Sequence, residues 1–214
     1  MRKHVQITIN REFGSGGRLI GEALSKKLNV KLVDKQILEE AAKAMKMSPQ
    51  YLEQFDEKAP SIWDSFQYSN SIFHGMSIPM YYNKITNNEL YIMEAEFIKK
   101  LAEKEKCIFV GRCASYILKD EPHISIFLYA DMNTRIHNLT EVYGFKKDKD
   151  IEKQIKKADK QRADYYRLYT SKDWKEMSQY DLCIDTSKMT LDKVVDTIYY
   201  YIQKRKWSLE ELNE

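Results

Sequence analysis

Apolar positions recur along the chain at two alternating spacings. Val5, Ile7 and Ile9 alternate with polar residues, the period of a strand. Leu19, Ile20, Ala23, Leu24 and Leu28 follow at the period of a helix. Lys31-Leu-Val-Asp34 reads as a second short strand, with Ile37, Leu38, Ala41, Ala42 and Met45 at helical spacing behind it. Leu90, Met93, Ala95, Phe97, Ile98, Leu101 and Ala102 predict a helix over about 88–105. Cys107–Val110 and Ile124–Tyr129 are largely apolar, as strands buried inside a parallel sheet are. A helix through Arg135 and Leu139 comes next, and Leu182-Cys-Ile-Asp185 makes a last strand. Leu191, Val194, Val195, Ile198 and Ile202 form one face of a final helix, capped by Thr190 or Ser187. Strands and helices alternating about five times predict an α/β fold: a mainly parallel sheet with helices on both faces.

Two stretches break this rhythm. Residues 51–90 scatter Phe55, Trp63, Phe66, Tyr68, Phe73, Tyr81 and Tyr82 among polar residues, interrupted by Pro60, Gly75 and Pro79. They read as short helices and loops: a flap over a substrate, or a surface for self-association into a homodimer. Residues 144–164 are dense in Lys and Asp and read as an exposed, charged helical hairpin or a lid.

Charge and cysteines narrow the setting. A formal net charge of +3 argues for neither nucleic acid nor a membrane surface as partner, so any basic site is local. Cys107, Cys113 and Cys183 are odd in number and lack metal-ligand spacing, which predicts reduced thiols in a cytoplasmic protein. Met1-Arg-Lys-His leads straight into the first strand with no signal-peptide pattern, and no apolar run reaches membrane-spanning length.

The candidate chemistry begins between the first strand and its helix. Gly14, Gly16 and Gly17 lie there, with Arg11 and Arg18 on either side. Glycines let backbone N–H groups turn toward an anion, and the helix start adds positive partial charge. Asp34, just past a strand end, faces a ligand crevice or caps the next helix. Gly111 delivers Arg112 at the end of a buried strand, either for a bidentate phosphate contact or as a surface loop residue. In the first case Arg112→Ala lowers ligand affinity and leaves stability nearly unchanged.

Four stretches, in order, resemble the nucleoside monophosphate kinases, and within them the cytidylate kinase-like branch. They are Ile7-Thr-Ile-Asn-Arg-Glu-Phe-Gly-Ser-Gly-Gly-Arg18, Leu32-Val-Asp34, Val110-Gly-Arg-Cys-Ala114, and Asp159-Lys-Gln-Arg162 with Tyr180-Asp-Leu-Cys-Ile-Asp185. The resemblance implies one P-loop NTPase-type domain over 1–214, with a flap at 46–90 and a lid at 136–160. It implies transfer of the terminal phosphoryl of ATP, with Mg²⁺, to CMP or a related small acceptor. By the same pattern the loop of Arg11, Phe13, Gly14, Ser15, Gly16, Gly17, Arg18 and Leu19 binds the donor nucleotide. Asp34, Arg112, Asp159 and Arg162 bind the acceptor, and Arg18, Arg112, Arg135 and Arg162 are the catalytic cations.

The chain departs from the standard P-loop. Gly17 stands where cytidylate kinases carry the lysine, and Leu19 where they carry the metal-binding threonine. Val110 replaces a carboxylate, and Asn138, Leu139 and Ala158 replace lid arginines. The cytidylate kinase-like branch itself carries Arg-Glu-Phe-Gly-Ser-Gly-Gly-Arg in place of the lysine motif. Arg18, then Arg11 and Lys35, are the candidates for the missing positive charge. Glu12, Asp34 and Asp131 are candidates beside Mg²⁺, with the metal ligands unassigned. The alternative function is a catalytically degenerate nucleotide-binding module.

Overall fold

The computed structural model describes residues 5–44, 46, 48, 87–146 and 149–205. The elements are β1 (Gln6–Arg11), α1 (Gly17–Leu28), β2 (Lys31–Val33), α2 (Lys35–Ala44), α3 (Asn87–Ala102), β3 (Cys107–Val110) and α4 (Ala114–Ile117). They continue with β4 (His123–Tyr129), α5 (Met132–His137), α6 (Ile151–Thr170), β5 (Leu182–Asp185) and α7 (Leu191–Lys204). The five-stranded sheet has the order β2-β3-β1-β4-β5, and every pairing is parallel. The predicted α/β fold and all its strands are present.

Each face of the sheet is covered because the strands are apolar on both sides. Ile7, Ile9, Ile108, Val110, Ile124, Ile126 and Leu128 face α1 and α7, where Ile20, Leu24, Val194, Val195 and Ile198 meet them. On the other face Phe109 packs with Val33, Ile37 and Ile98, while Phe127 packs with Tyr165, Tyr166, Trp174 and Tyr180. Burying such side chains contributes roughly 1.5–3 kcal/mol each. β1 reads as half-exposed in sequence, yet its polar residues Gln6, Thr8 and Asn10 are buried. Hydrogen bonding makes this tolerable: Gln6 donates to Ala102 O at 2.9 Å and accepts from Cys107 N–H at 2.9 Å.

The central strands set the site. β1 and β4 are neighbours, and their connections leave toward β2 and β5 on opposite sides. A parallel sheet opens a ligand crevice at the carboxyl ends of such strands. The glycine loop follows β1 there.

Residues 151–170 form one continuous helix, not the charged hairpin that the lysine density suggests. Ile151, Ile155, Ala158, Arg162, Tyr165 and Tyr166 are its buried stripe, and the lysines occupy the outer turns. The expected lid, 136–160, comprises the end of α5, a π-helical turn at Asn138–Val142, and the first half of α6. The expected flap, 46–90, lies outside the described residues except for 46, 48 and 87–90, and with it the aromatic surface considered for a homodimer. Among the described residues no helix is long and apolar enough to cross a membrane.

Candidate functional site

The loop from Arg11 to Gly16 is held by its carbonyl groups, one after another. Arg11 O accepts from Arg162 Nη1 at 3.1 Å. Glu12 O accepts from Ser15 N–H and Oγ–H, Phe13 O from Arg135 Nε, and Gly14 O from Asn138 Nδ2. Ser15 O accepts from Thr186 Oγ1 at 2.9 Å, and Gly16 O from Ile20 N–H at 3.0 Å.

The N–H groups divide differently. Glu12 N–H goes to Leu128 O, Phe13 N–H to Asp159 Oδ1 at 2.8 Å, and Ser15 N–H to Glu12 O. Tyr143 lies near Arg18, and burial pushes its phenol up to about 12. Among the described residues nothing accepts from the N–H groups of Gly14, Gly16, Gly17 or Arg18. Helix starts leave such donors over, and an anion is their natural acceptor.

Two glycines are required by their neighbours. Gly14 has φ +84°, and a Cβ there would stand 2.9 Å from Arg135 O. At Gly17 a Cβ would stand 2.8 Å from both Cβ and Cγ of Arg11. The stem of Arg11 therefore lies where a side chain at position 17 would begin.

Arg135 and Asp159 brace the loop from behind. Arg135 is buried; its Nε donates to Phe13 O at 2.7 Å, Nη1 to Glu12 Oε2 at 3.3 Å, and Nη2 to Asp159 Oδ2. The Arg162 guanidinium lies 5.4 Å from the centroid of the Phe13 ring. That ring is enclosed by Leu139, Ile151, Ile155 and Ala158, so the lid segment and the glycine loop share one apolar core. Asn138 thus pins the loop, while Leu139 and Ala158 join this core.

Arg18 lies elsewhere. Its Nε donates to Glu22 Oε1 at 2.9 Å along the flank of α1, with Asp34 in its electrostatic neighbourhood. Leu19, the next residue, is partly buried. Of the carboxylates considered for a metal, Glu12 is engaged by Arg135 and by Lys175 Nζ. Asp131 caps α5 by accepting from Thr134 N–H at 2.7 Å, which with the surrounding hydroxyls lowers its pKa. No group of three or more His, Cys, Asp or Glu arranged for a metal occurs among the described residues. These side chains do not fit a ready protein-borne metal site.

Arg112 follows β3, as expected, in a tight left-handed turn: φ is +78° at Gly111, +54° at Arg112 and +55° at Cys113. Consecutive non-glycine residues in this region are strained, and such strain gathers at functional sites. The arginine is buried and pairs with Glu94 of α3, itself fully buried, while Tyr165 donates to Glu94 Oε2 at 3.1 Å. Glu94 was not singled out from the sequence. Its signal is its position midway between Leu90 and Ile98, on the stripe that a helix buries.

The chain resembles known proteins in sequence and in fold. A cytidylate kinase from Methanocaldococcus jannaschii is 26% identical over 110 residues, which cover 50% of this chain and 61% of that enzyme. A crystal structure of an uncharacterized protein from Eubacterium ventriosum is 29% identical, with a TM-score of 0.66, over 94% of this chain and 100% of that one. Shikimate kinase from Acinetobacter baumannii, in complex with shikimate, is alike in fold: TM-score 0.53, 13% identity, 97% of each chain. The model of the cytidylate kinase-like family matches residues 6–188, and the chain belongs to that family.

Proposed function

We propose that the protein is an ATP-dependent phosphotransferase that passes the terminal phosphoryl of ATP to CMP or a related small acceptor. The observation that carries this reading is the loop Arg11–Gly16. Its successive carbonyls are all bonded to the protein, and the N–H groups of Gly14, Gly16, Gly17 and Arg18 are left for an anion. Such a cradle fits the phosphates of a nucleotide. It is pre-set, so binding needs little rearrangement of the backbone. In this reading Arg112, at the end of β3, divides its guanidinium between Glu94 and the acceptor phosphate. Mg²⁺ carried by ATP would add charge neutralisation at the phosphates.

The test is an ATP-consumption screen against nucleoside monophosphates and small hydroxyl compounds, with and without Mg²⁺. CMP-dependent formation of ADP is the expected result. A second reading, a nucleotide-binding module without catalysis, is favoured by Gly17 and Leu19 at the lysine and threonine positions. It predicts ATP binding by calorimetry with no turnover for any acceptor. Absence of ATP binding overturns both readings.

A further inference from the structure

We infer that Arg11 supplies, from the strand side of the loop, the cation that a lysine supplies from the helix side in ordinary P-loops. The inference rests on the proposed phosphotransfer and deepens it. It starts from volume. A Cβ at position 17 would stand 2.8 Å from Cβ and from Cγ of Arg11, closer than carbon atoms approach. A side chain at 17 and the present Arg11 stem exclude one another. The glycine at 17 is therefore one half of an exchange, and Arg11 is the other.

The anchoring of Arg11 supports this. It is the last residue of β1, opposite Leu128 of β4, and its carbonyl is held by Arg162 Nη1 at 3.1 Å. The origin of the side chain is fixed, and its stem crosses the first turn of α1 beside Gly17, whose N–H belongs to the cradle. Arg18 runs along the flank of α1, where its Nε meets Glu22 Oε1 at 2.9 Å. Arg18 moreover leaves the helix about 100° away from position 17.

Arginine suits the task. Its planar fork matches phosphate oxygens, and it stays charged at any working pH. When an acceptor oxygen bonds to the γ-phosphorus, the bond from that phosphorus to the bridging oxygen breaks. Its electron pair stays on the β-phosphate. With a nucleoside monophosphate the attacking oxygen is already anionic, so no proton has to move. The charge that grows on the bridging oxygen is what the Arg11 guanidinium offsets.

The experiment compares the wild type with Arg11→Met, Gly17→Lys and the double variant Arg11→Ala/Gly17→Lys. Calorimetry with ATP, ADP and AMP, each with Mg²⁺, reads affinity, and thermal melting reads the fold. Arg11→Met keeps most of the stem and removes the charge. It should weaken ATP and ADP by about ten- to a hundredfold, the scale of a charge-assisted contact, and AMP far less. Gly17→Lys should melt below the wild type because two stems compete for one volume. The double variant should melt above Gly17→Lys and recover ATP affinity relative to Arg11→Met. If Arg11→Met binds ATP as the wild type does, or Gly17→Lys melts like the wild type, the inference is overturned and the kinase reading stands. If the wild type binds none of the nucleotides, the kinase reading falls first and takes the inference with it.

Discussion

Arg112 shows how burial changes what a residue is expected to do. Read from sequence, it is a phosphate clamp whose loss hardly affects stability. In the structure it pairs with a fully buried carboxylate, Glu94. Removing one partner of such a pair leaves a charge uncompensated in the core, at about 3–5 kcal/mol. We therefore expect Arg112→Ala to lower unfolding free energy by about that amount in urea titrations. The milder pair Arg112→Met/Glu94→Gln should recover part of it. A wild-type midpoint for Arg112→Ala would show that the pair contributes little. Cys107 behaves as the sequence suggests, as a core thiol. Burial pushes its pKa up to about 12. Folding thus favours the protonated form; that stability is complete below the unfolded thiol's pKa and is lost as pH climbs through the folded value. In the native protein at pH 8, Cys107 should resist alkylation, with protection lost in denaturant. Equal labelling in both conditions would contradict the burial.

At the level of elements, the glycine loop and the lid segment are one packing unit. Phe13 belongs to the loop by sequence, yet its ring sits among Leu139, Ile151, Ile155 and Ala158. Asn138 and Arg135 grip the loop carbonyls from the same segment. A lid swinging freely about 136–160 would have to pull that ring out, at roughly the 3–5 kcal/mol of a Phe→Ala change. We expect amides at 154–158 to be protected from exchange without nucleotide. The amides of Gly14, Gly16, Gly17 and Arg18 should exchange fast and slow markedly when ATP is added. Fast exchange throughout α6 in the free protein would argue for the swinging lid instead. Leu139→Ala, in the same core, should cost about 2–5 kcal/mol and also weaken ATP, because the loop loses its backing. Unchanged ATP affinity in a folded Leu139→Ala protein would separate lid packing from loop geometry.

For the whole molecule, the sheet was legible because its signal is local. Cys107–Val110 and Ile124–Tyr129 carry their burial in their own composition, and the glycines mark the turn that follows β1. What pairs across the fold was not legible. Nothing in the sequence brings Arg11 onto Gly17, Thr186 onto Ser15, or Glu94 under Arg112, since each contact is created by the sheet order. The α6 stripe was hidden by the lysines on its outer turns. The acceptor-binding flap expected at 46–90 lies outside the described residues except for 46, 48 and 87–90. A ligand that binds only the folded chain stabilises it by mass action, about 2.7 kcal/mol at a hundredfold excess over Kd. For a chain of this size that raises Tm by roughly 5–10 °C. ATP should produce such a shift, and the right acceptor should add its own. A melting curve indifferent to ATP at millimolar concentration would count against the phosphate cradle.

The exchange of a lysine for Gly17 has a consequence for labelling chemistry. Acyl-phosphate derivatives of ATP mark kinases by acylating an amine held beside the bound phosphates. From Arg11 to Leu19 this chain offers no amine. Such reagents would pass through the loop without leaving a covalent adduct there. A survey that equates labelling of the loop itself with nucleotide occupancy would therefore score the loop as empty while ATP was bound, and any adduct would have to form on an amine reaching in from elsewhere, such as Lys175 beside Glu12. Dicarbonyl reagents, which condense with guanidinium groups, are the matching chemistry, and protection of Arg11 from them by ATP would make occupancy of the loop visible.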